Sequence, residues 1–345
     1  MSDRDELALS TVGAMTSLVT PWVLRTAVTL RLPDLIAAGV TNTTELATRA
    51  GANPDALQRV IRHLIHCRVL RQAGPDRVEL TALGEFLRTD HPARLANTLD
   101  QNNPYNRREA AVLTRLPDAV RTGQPVWASC HGHDFWADLN RDEALASGFD
   151  HALAGFPDFL AGRIARGYDW TSARHVVDVG GGTGRVLAEL LTTHPRLRGT
   201  LVDLPHAAAL AAARFAEQGV ADRASVSGQT FFDPLPTGGD VYLLANVLHC
   251  WTDEDSRKII DQCVASAAPR AVVVVVDQVM PEQPTGGDQR GLDETDLGLL
   301  LLFGTKIRSE REFRRLGDSA GLTLRGCTAI APADGWSLLT YTVDD

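Results

Sequence analysis

"DVGGGTG", residues 178–184, is the stretch that decides the fold. It follows His175 and two valines, "HVV", and precedes the helical pattern "RVLAELLTTHP". A buried strand that runs into glycines and then into a helix is typical of an open α/β sheet, in which ligands bind outside the carboxyl ends of the strands. Glycine lets a ligand approach the main chain closely. The stretch therefore predicts an α/β domain with a ligand at this loop.

The alternation of strand and helix continues to the end of the chain. The stretches "RGTLVDLP", "RASVSGQ", "DVYLLANVLH" and "RAVVVVVDQV" read as further strands. Continuous apolar strands separated by helices predict a mostly parallel sheet, here of seven strands, covered on both faces. The last two strands, "LTLRGCTAI" and "WSLLTYTV", are joined only by "APADG". We expect them to form a hairpin that leaves one strand antiparallel at the edge.

The residues around the glycines narrow the choice of ligand. The dinucleotide fingerprint needs a glycine where this chain has Arg185, and the phosphate-loop motif is absent. Asp178 precedes the glycines, and a carboxylate there repels a pyrophosphate but attracts an ammonium group. Asp203 ends the next strand, where an acid can accept hydrogen bonds from ribose hydroxyls. The set predicts S-adenosylmethionine; the alternative is a tight turn that binds nothing.

The N-terminal half reads as helices. Around residues 40–85, two helical patterns precede two short strand-like pieces at a Gly-Pro turn, which predicts a winged-helix-like unit. We predict a helical domain over residues 1–100, a helical linker and substrate-pocket segment over 101–170, and the ligand-binding domain over 171–345. A winged helix leaves open a DNA-binding regulator, whose phosphate contacts would be Arg59, Arg62, His63 and His66.

Composition argues against several classes of partner. The net charge of −9 over 345 residues gives no general attraction for nucleic acid or anionic membranes. No apolar run approaches the length that spans a bilayer, and the N-terminus lacks a signal pattern. The five cysteines are scattered and never in C-x-x-C spacing, so we expect no disulfides and no metal site, and a cytoplasmic location.

A histidine and an aspartate end neighbouring predicted strands. His249 closes "DVYLLANVLH" and Asp277 closes "RAVVVVVDQV". Parallel neighbours bring such residues to the same edge of the sheet, where a carboxylate can fix the tautomer of an imidazole and stabilise its charged form. We therefore predict a general base and its partner. The alternative is a polar residue that only terminates a strand.

These motifs together resemble the S-adenosylmethionine-dependent O-methyltransferases of the plant caffeate type, and among them the actinomycete enzymes that act on aromatic polyketides. The resemblance covers nearly the whole chain and rests on "DVGGGTG", "LVDLP", "GQTFFDPLP", "NVLHCW" and "DLGLLLLFGTKIRSEREF". It implies a class I methyltransferase domain, Rossmann-like, behind a helical domain that forms homodimers and carries a winged-helix-like unit that does not read DNA. It also implies an aromatic small-molecule acceptor in antibiotic or other natural-product biosynthesis.

The resemblance also assigns residues. His249 falls on the general base of the family and Asp277 on its carboxylate partner. The cofactor contacts implied are Asp178, Gly180, Gly182, Asp203, Leu204, Thr230, Phe231, Asn246 and Trp251. The acceptor-pocket candidates are Asn103, Trp136, Phe156, Asp296 and Phe303.

Two positions depart from the family pattern. Cys250 stands where relatives commonly have an aspartate, and Ile307 stands where the plant enzymes have a glutamate beside the base. Some proteins with this fold have exchanged methyl transfer for decarboxylation or hydroxylation. The missing acids leave that alternative open, whereas His249 and Asp277 favour methyl transfer.

Overall fold

The computed structural model describes residues 3–153, 157–283 and 289–343. The elements of the first stretch are α1 (Asp3–Met15), α2 (Val19–Thr29), α3 (Leu32–Ala37), α4 (Thr43–Arg49), α5 (Pro54–His66), β1 (Leu70–Gln72), β2 (Val78–Leu80), α6 (Ala82–Glu85), α7 (Leu95–Leu99), α8 (Pro104–Val112), α9 (Leu116–Thr122), α10 (Trp127–His131), α11 (Phe135–Arg141) and α12 (Glu143–Leu153).

The remaining elements are α13 (Pro157–Gly167), β3 (His175–Val179), α14 (Arg185–Thr193), β4 (Arg198–Asp203), α15 (Pro205–Glu217), β5 (Ala224–Gly228), β6 (Gly239–Ala245), α16 (Asp253–Ser266), β7 (Ala267–Gln278), α17 (Arg290–Phe303), α18 (Glu310–Ser319), β8 (Leu322–Ala331) and β9 (Trp336–Val343). No helix in the described ranges is both long and apolar enough to cross a membrane.

The chain forms two compact units. Unit 1 comprises the described residues within Met1–Arg108 and Asp142–Gly155, and unit 2 those within Glu109–Arg141 and Phe156–Asp345. In unit 1, the side chain of Asn42 caps α4 and that of Asn53 caps α5, each by accepting main-chain amide hydrogen bonds. The antiparallel pair β1–β2 follows α5. This helix–helix–hairpin order is the predicted winged-helix-like arrangement.

A seven-stranded sheet in the order β5-β4-β3-β6-β7-β9-β8 forms the centre of unit 2. One face packs against apolar side chains of α13, α14 and α15, and the other against those of α16 and α18. The fold class predicted from the sequence is confirmed. One detail is wrong: the antiparallel strand β9 pairs with both β7 and β8, so it lies one position inside the edge.

The strand order reverses between β3 and β6. The chain leaves β3 toward β4 and β5 on one side, whereas β6 continues toward β7 on the other. The connections diverge here and leave a crevice outside the carboxyl ends of the two strands, which is where open α/β sheets bind ligands. The glycine loop follows β3 and the His249 segment follows β6, so the topology brings both to this crevice.

Candidate active site

Three glycines of the loop after β3 have left-handed backbone angles. The φ angles are 72° at Gly180, 56° at Gly182 and 75° at Gly184, a region that side chains disfavour. A Cβ on Gly180 would lie 2.8 Å from Val247, whereas one on Gly182 would meet nothing within 4 Å. The main chain at Gly182 is therefore open to a ligand.

Asp178 is a buried acid. The residue is 1% exposed, and neither carboxylate oxygen has a hydrogen-bond partner among the residues that the structure describes. Burial raises its pKa to about 7, and the charge of Asp203 acts in the same direction. A buried charge without a hydrogen-bond partner is costly, so we expect the carboxylate of Asp178 to accept a hydrogen bond from a bound ligand.

Asp203, by contrast, is oriented by its own surroundings. One carboxylate oxygen accepts the Gly182 amide at 2.8 Å and the other accepts the Leu204 amide at 2.7 Å. Burial raises the pKa of Asp203, and these two hydrogen bonds oppose the rise. Each oxygen keeps a lone pair for a further donor. Leu204 follows directly and is 37% exposed, so its side chain offers an apolar surface beside this acid.

His249 does not end β6, contrary to the sequence prediction. The strand stops at Ala245, Asn246 adopts a left-handed φ of 63°, and His249 lies in the 3-10 turn Leu248–Cys250. Left-handed Asn is tolerated because its short polar side chain can bond locally. The Asn246 amide still donates to Val276 at 2.8 Å, so the turn begins at a fixed point of β7.

The structure brings His249 and Asp277 together. The Nδ1 atom of the imidazole lies 2.7 Å from Oδ1 of Asp277. The His249 side chain is 13% exposed and that of Asp277 is fully buried. Burial by itself would lower the pKa of His249, but the carboxylate of Asp277 and the Cys250 side chain raise it well above the usual value for a histidine. The ring can therefore hold a proton strongly.

An aromatic cluster includes Trp251, the residue that follows the His249 turn. Trp251 is stacked on Trp136, with ring centres 5.5 Å apart and planes 5° apart. Phe303 lies over Trp136 at 5.6 Å and 18°, and Phe231 meets the edge of Trp251 at 5.6 Å. The next residue back along the chain, Thr230, has a hydroxyl oxygen that accepts the Phe232 amide at 3.3 Å. Five predicted site residues thus form or flank one surface, suited to flat apolar groups.

Comparison with known families agrees with this geometry. Residues 113–323 match the O-methyltransferase domain and residues 12–90 match the O-methyltransferase dimerisation domain. The chain belongs to the O-methyltransferase family. The family and the enzyme class predicted from the sequence are therefore confirmed.

Several relatives of this methyltransferase come from Streptomyces species. A 2,7-dihydroxy-5-methyl-1-naphthoate 7-O-methyltransferase from Streptomyces carzinostaticus is 39% identical over 92% of this chain and 94% of the relative. Aclacinomycin 10-hydroxylase RdmB from Streptomyces purpurascens is 41% identical over 99% of this chain and 91% of the relative. The crystal structure of the neocarzinostatin O-methyltransferase NcsB1, bound to S-adenosylmethionine and 2-hydroxy-5-methyl naphthoic acid, has a TM-score of 0.86 at 37% identity, covering 96% of this chain and 98% of that one.

The cofactor of this methyltransferase is S-adenosylmethionine, as predicted. The residues present fit it, because the unpartnered carboxylate of Asp178 needs a donor such as an ammonium group. Asp203 has free lone pairs for hydroxyl donors, and the open main chain at Gly182 is hydrogen-bonded to it.

The two departures from the family pattern have different surroundings. Cys250 faces the same imidazole as Asp277 and contributes to its raised pKa. Ile307 is buried in an apolar cluster with Leu292 and Leu299, against which Phe303 packs. The second missing acid is therefore replaced by core packing beneath the aromatic cluster.

Asp296 and Asn103, two predicted acceptor contacts, belong to different units. The Asp296 carboxylate accepts the Ile307 amide at 2.5 Å and lines an open groove of about 430 Å³ that also includes Trp251. Burial raises the pKa of Asp296. Asn103 belongs to unit 1, where its amide donates to Gly148 at 2.9 Å and its carbonyl accepts the Tyr105 amide at 2.9 Å. Phe156 lies outside the described residues.

Two neighbours of His249 were missed by the sequence analysis. The Thr305 hydroxyl donates to the His249 carbonyl at 2.6 Å, and Arg308 is a buried cation against the same turn. Both lie in "GTKIRSERE", within a motif that carries the family resemblance, and the resemblance assigns neither residue a role. The sequence offered no signal of their contacts beyond the position of that stretch in the family pattern.

Proposed function

We propose that this enzyme transfers the methyl group of S-adenosylmethionine to a hydroxyl of an aromatic small molecule in antibiotic or related natural-product biosynthesis, with His249 as the general base. The observation that carries the proposal is the hydrogen bond between His249 Nδ1 and Asp277, at 2.7 Å. Because Nδ1 is engaged by the carboxylate, Nε2 is the atom left to accept the acceptor's proton.

The raised basicity of His249 suits a phenolic acceptor. A phenol has a pKa of about 10 and an ordinary histidine about 6.5, so proton transfer between them is uphill. Asp277 and Cys250 raise the pKa of His249 and reduce that gap. The bound sulfonium supplies an electrophilic methyl group, and the residues of this chain have to orient the oxygen and remove its proton.

The aromatic character of the acceptor is supported from two directions. Trp136 is stacked with Trp251 and also with Phe303, which gives the site a group of nearly parallel apolar rings. Relatives are named for hydroxylated naphthoate and aminohydroxybenzoate acceptors. We propose Trp136, Phe303 and Asp296 as acceptor contacts and keep Asn103 and Phe156 as sequence-based candidates. The proposed cofactor contacts are Asp178, Gly180, Gly182, Asp203, Leu204, Thr230, Phe231, Asn246 and Trp251.

We also propose that the enzyme acts as a cytoplasmic homodimer and binds neither nucleic acid nor membranes. Residues 12–90 match a dimerisation domain. Along α1, α2 and the link between them, Val12, Met15, Leu18 and Trp22 are each at least half exposed, as an apolar interface for a second copy requires. The five cysteines, all within the described ranges, have free thiols, which fits a reducing compartment.

Hydroxylation is the second candidate reaction, because RdmB, at 41% identity, is named a 10-hydroxylase. Incubation with methyl-labelled S-adenosylmethionine and a panel of hydroxynaphthoate and hydroxybenzoate acceptors separates the two. Methyl transfer gives a labelled product heavier by one methylene and consumes the cofactor stoichiometrically. An unlabelled product heavier by one oxygen would identify hydroxylation instead.

The role of His249 needs its own comparison. We expect His249→Ala to lower kcat by about a hundredfold or more, the usual contribution of a general base. S-adenosylmethionine affinity, measured by calorimetry, should stay near that of the parent. A variant that methylates a confirmed acceptor at the parental rate would show that His249 is not the base.

A further inference from the structure

Arg308, between α17 and α18, is a buried cation with an unusual set of partners. The residue is 3% exposed. Its guanidinium donates to the carbonyls of Leu248 at 2.7 Å and Trp251 at 2.8 Å, and to the Ser256 hydroxyl at 3.1 Å. Its Nε donates to Asp253 at 2.8 Å. All three guanidinium nitrogens are therefore engaged, and two of the four acceptors are carbonyls of a single turn.

That turn contains His249. Leu248 precedes the histidine and Trp251 follows it by two residues, so Arg308 holds the turn on both sides of the proposed base. Thr305, three residues before Arg308, donates to the carbonyl of His249 itself at 2.6 Å. Thr305 and Arg308 thus donate to three carbonyls of the turn. The Leu248 and Trp251 carbonyls also accept the Ser256 hydroxyl, each at 3.3 Å, so the two residues add to a turn that is already hydrogen-bonded.

The main chain of Arg308 contacts the segment that follows Asp277, the partner of His249. Its carbonyl accepts the Met280 amide at 3.0 Å. Met280 lies three residues beyond Asp277, just past the end of β7. Arg308 therefore contacts the His249 turn through its side chain, and it contacts the segment after β7, which carries Asp277, through its main chain.

A simple ion pair does not explain the burial of this cation. Within the described part of the chain, the only carboxylate among its hydrogen-bond acceptors is Asp253, whose side chain is 75% exposed, and exposed partners contribute little. A planar fork of fixed donors that matches several carbonyls at once is a geometry that guanidinium offers and ammonium does not.

We propose that Arg308 is a positioning residue that holds the His249 turn in register with Asp277 and thereby sets the geometry of proton removal. The proposal rests on the role of His249 given above. Displacement of a reacting group by about 1 Å can cost about a hundredfold in rate, so loss of the fork should lower kcat much more than it weakens cofactor binding.

Arg308→Lys tests the proposal, because lysine keeps the charge but cannot serve both carbonyls and Asp253 together. We expect kcat to fall at least about tenfold, while the KM for S-adenosylmethionine changes by less than about threefold. The acid limb of kcat/KM should move to lower pH, since an imidazole no longer aligned with Asp277 loses its raised pKa. The titratable groups that shift this imidazole are Asp277 on β7 and Cys250 on its own turn. In Arg308→Ala, added guanidinium ion should restore part of the rate.

Arg223 provides a matched control. It donates to the carbonyls of Leu191 at 2.9 Å and Leu197 at 2.9 Å, in the segment that leads into the amino end of β4. Arg223→Lys removes the same kind of contact on the opposite edge of the sheet from His249. We expect it to lower the melting temperature and leave the acid limb unchanged.

The outcomes separate this proposal from the one before it. If His249→Ala is slow but Arg308→Lys keeps the parental kcat and acid limb, Arg308 is only structural and the positioning role is wrong. If His249→Ala is as fast as the parent, both proposals fall. Should Arg308→Lys not fold, Thr305→Val removes one bond to the same turn. A parental rate and acid limb in that variant would overturn the proposal.

Discussion

Asp277 binds His249 at two points. Its Oδ1 lies 2.7 Å from the imidazole Nδ1, and its Oδ2 accepts the main-chain amide of His249 at 3.2 Å. The Gln278 amide also donates to Oδ1 at 2.9 Å, which fixes the carboxylate itself. A single buried acid therefore orients both the ring and the backbone of the proposed base, and the first prediction concerns that acid.

Asp277→Asn should slow methyl transfer by roughly a hundredfold or more, because the amide keeps the shape but loses the charge that stabilises the imidazolium. The base acts in its neutral form, so the parental rate falls as pH drops below the raised pKa of His249. Without the carboxylate that pKa falls, and the acid limb of kcat/KM should move to lower pH. Asp240→Asn, whose carboxylate accepts two main-chain amides at the amino end of β3, is the control and should keep the parental limb.

The affinity for S-adenosylmethionine should depend on pH through Asp178. Its pKa is raised to about 7 in the ligand-free enzyme, and the ionised form is the one that attracts an ammonium group. Calorimetry at a series of pH values should show binding that strengthens as pH rises through about 7. Asp178→Asn should bind weakly and lose this dependence; an unchanged affinity at every pH would remove Asp178 from the cofactor site.

The buried carboxylate of Asp178 should also lower the free energy of unfolding of the enzyme without cofactor at neutral pH. A carboxyl whose folded pKa exceeds its unfolded value, about 3.9, favours the folded state most at low pH. That contribution is lost as pH rises toward about 7. Ligand-free Asp178→Asn should therefore melt at a higher temperature than the parent at pH above about 7, with the difference shrinking in acid. Scanning calorimetry of both proteins without cofactor tests this, and a lower melting temperature for the variant would contradict it.

The sequence predicted the parts of the site that depend on strand ends. Asp178, Asp203 and Asp277 each close an apolar run, and parallel pairing brings such ends to one edge. The sequence predicts His249 at the end of β6, whereas the residue lies in the turn after that strand. No sequence pattern predicts the left-handed backbone of Asn246, with which the turn begins. The hairpin of the last two strands was expected, but a hairpin specifies which strands pair and not which of them meets β7, so the sequence does not predict that the antiparallel strand lies one position inside the edge.

Arg308 shows a different limit. Its neighbours in sequence are mostly polar or charged, and a single arginine among them is typical of an exposed segment. Its burial follows from hydrogen bonds to the carbonyls of Leu248 and Trp251, which lie about 60 residues earlier in the chain. Such a contact depends on how α17 returns the chain to the sheet, which no local pattern encodes.

Trp136 should matter for the acceptor more than for the cofactor. The plane of its ring is 5° from that of Trp251 and 18° from that of Phe303. Trp136→Leu removes the central flat surface, so we expect the acceptor KM to rise about tenfold, on the scale of a lost aromatic contact. Trp136→Phe keeps a ring and should lose less. A larger loss of S-adenosylmethionine affinity than of acceptor affinity would place Trp136 at the cofactor instead.

Cys250 offers a way to restore the acid that the family commonly has. Its side chain faces the imidazole of His249, so a carboxylate there adds a second negative charge. Cys250→Asp should raise the pKa of His249 further and move the acid limb of kcat/KM to higher pH. In the background of Asp277→Asn, the same change should recover part of the lost rate, because it returns a charge that can stabilise the imidazolium. Cys250→Ser, of similar size but without an ionisable group, is the control and should recover none. Equal rates for the two double variants would show that the charge of Asp277, and not merely a charge nearby, is what His249 requires.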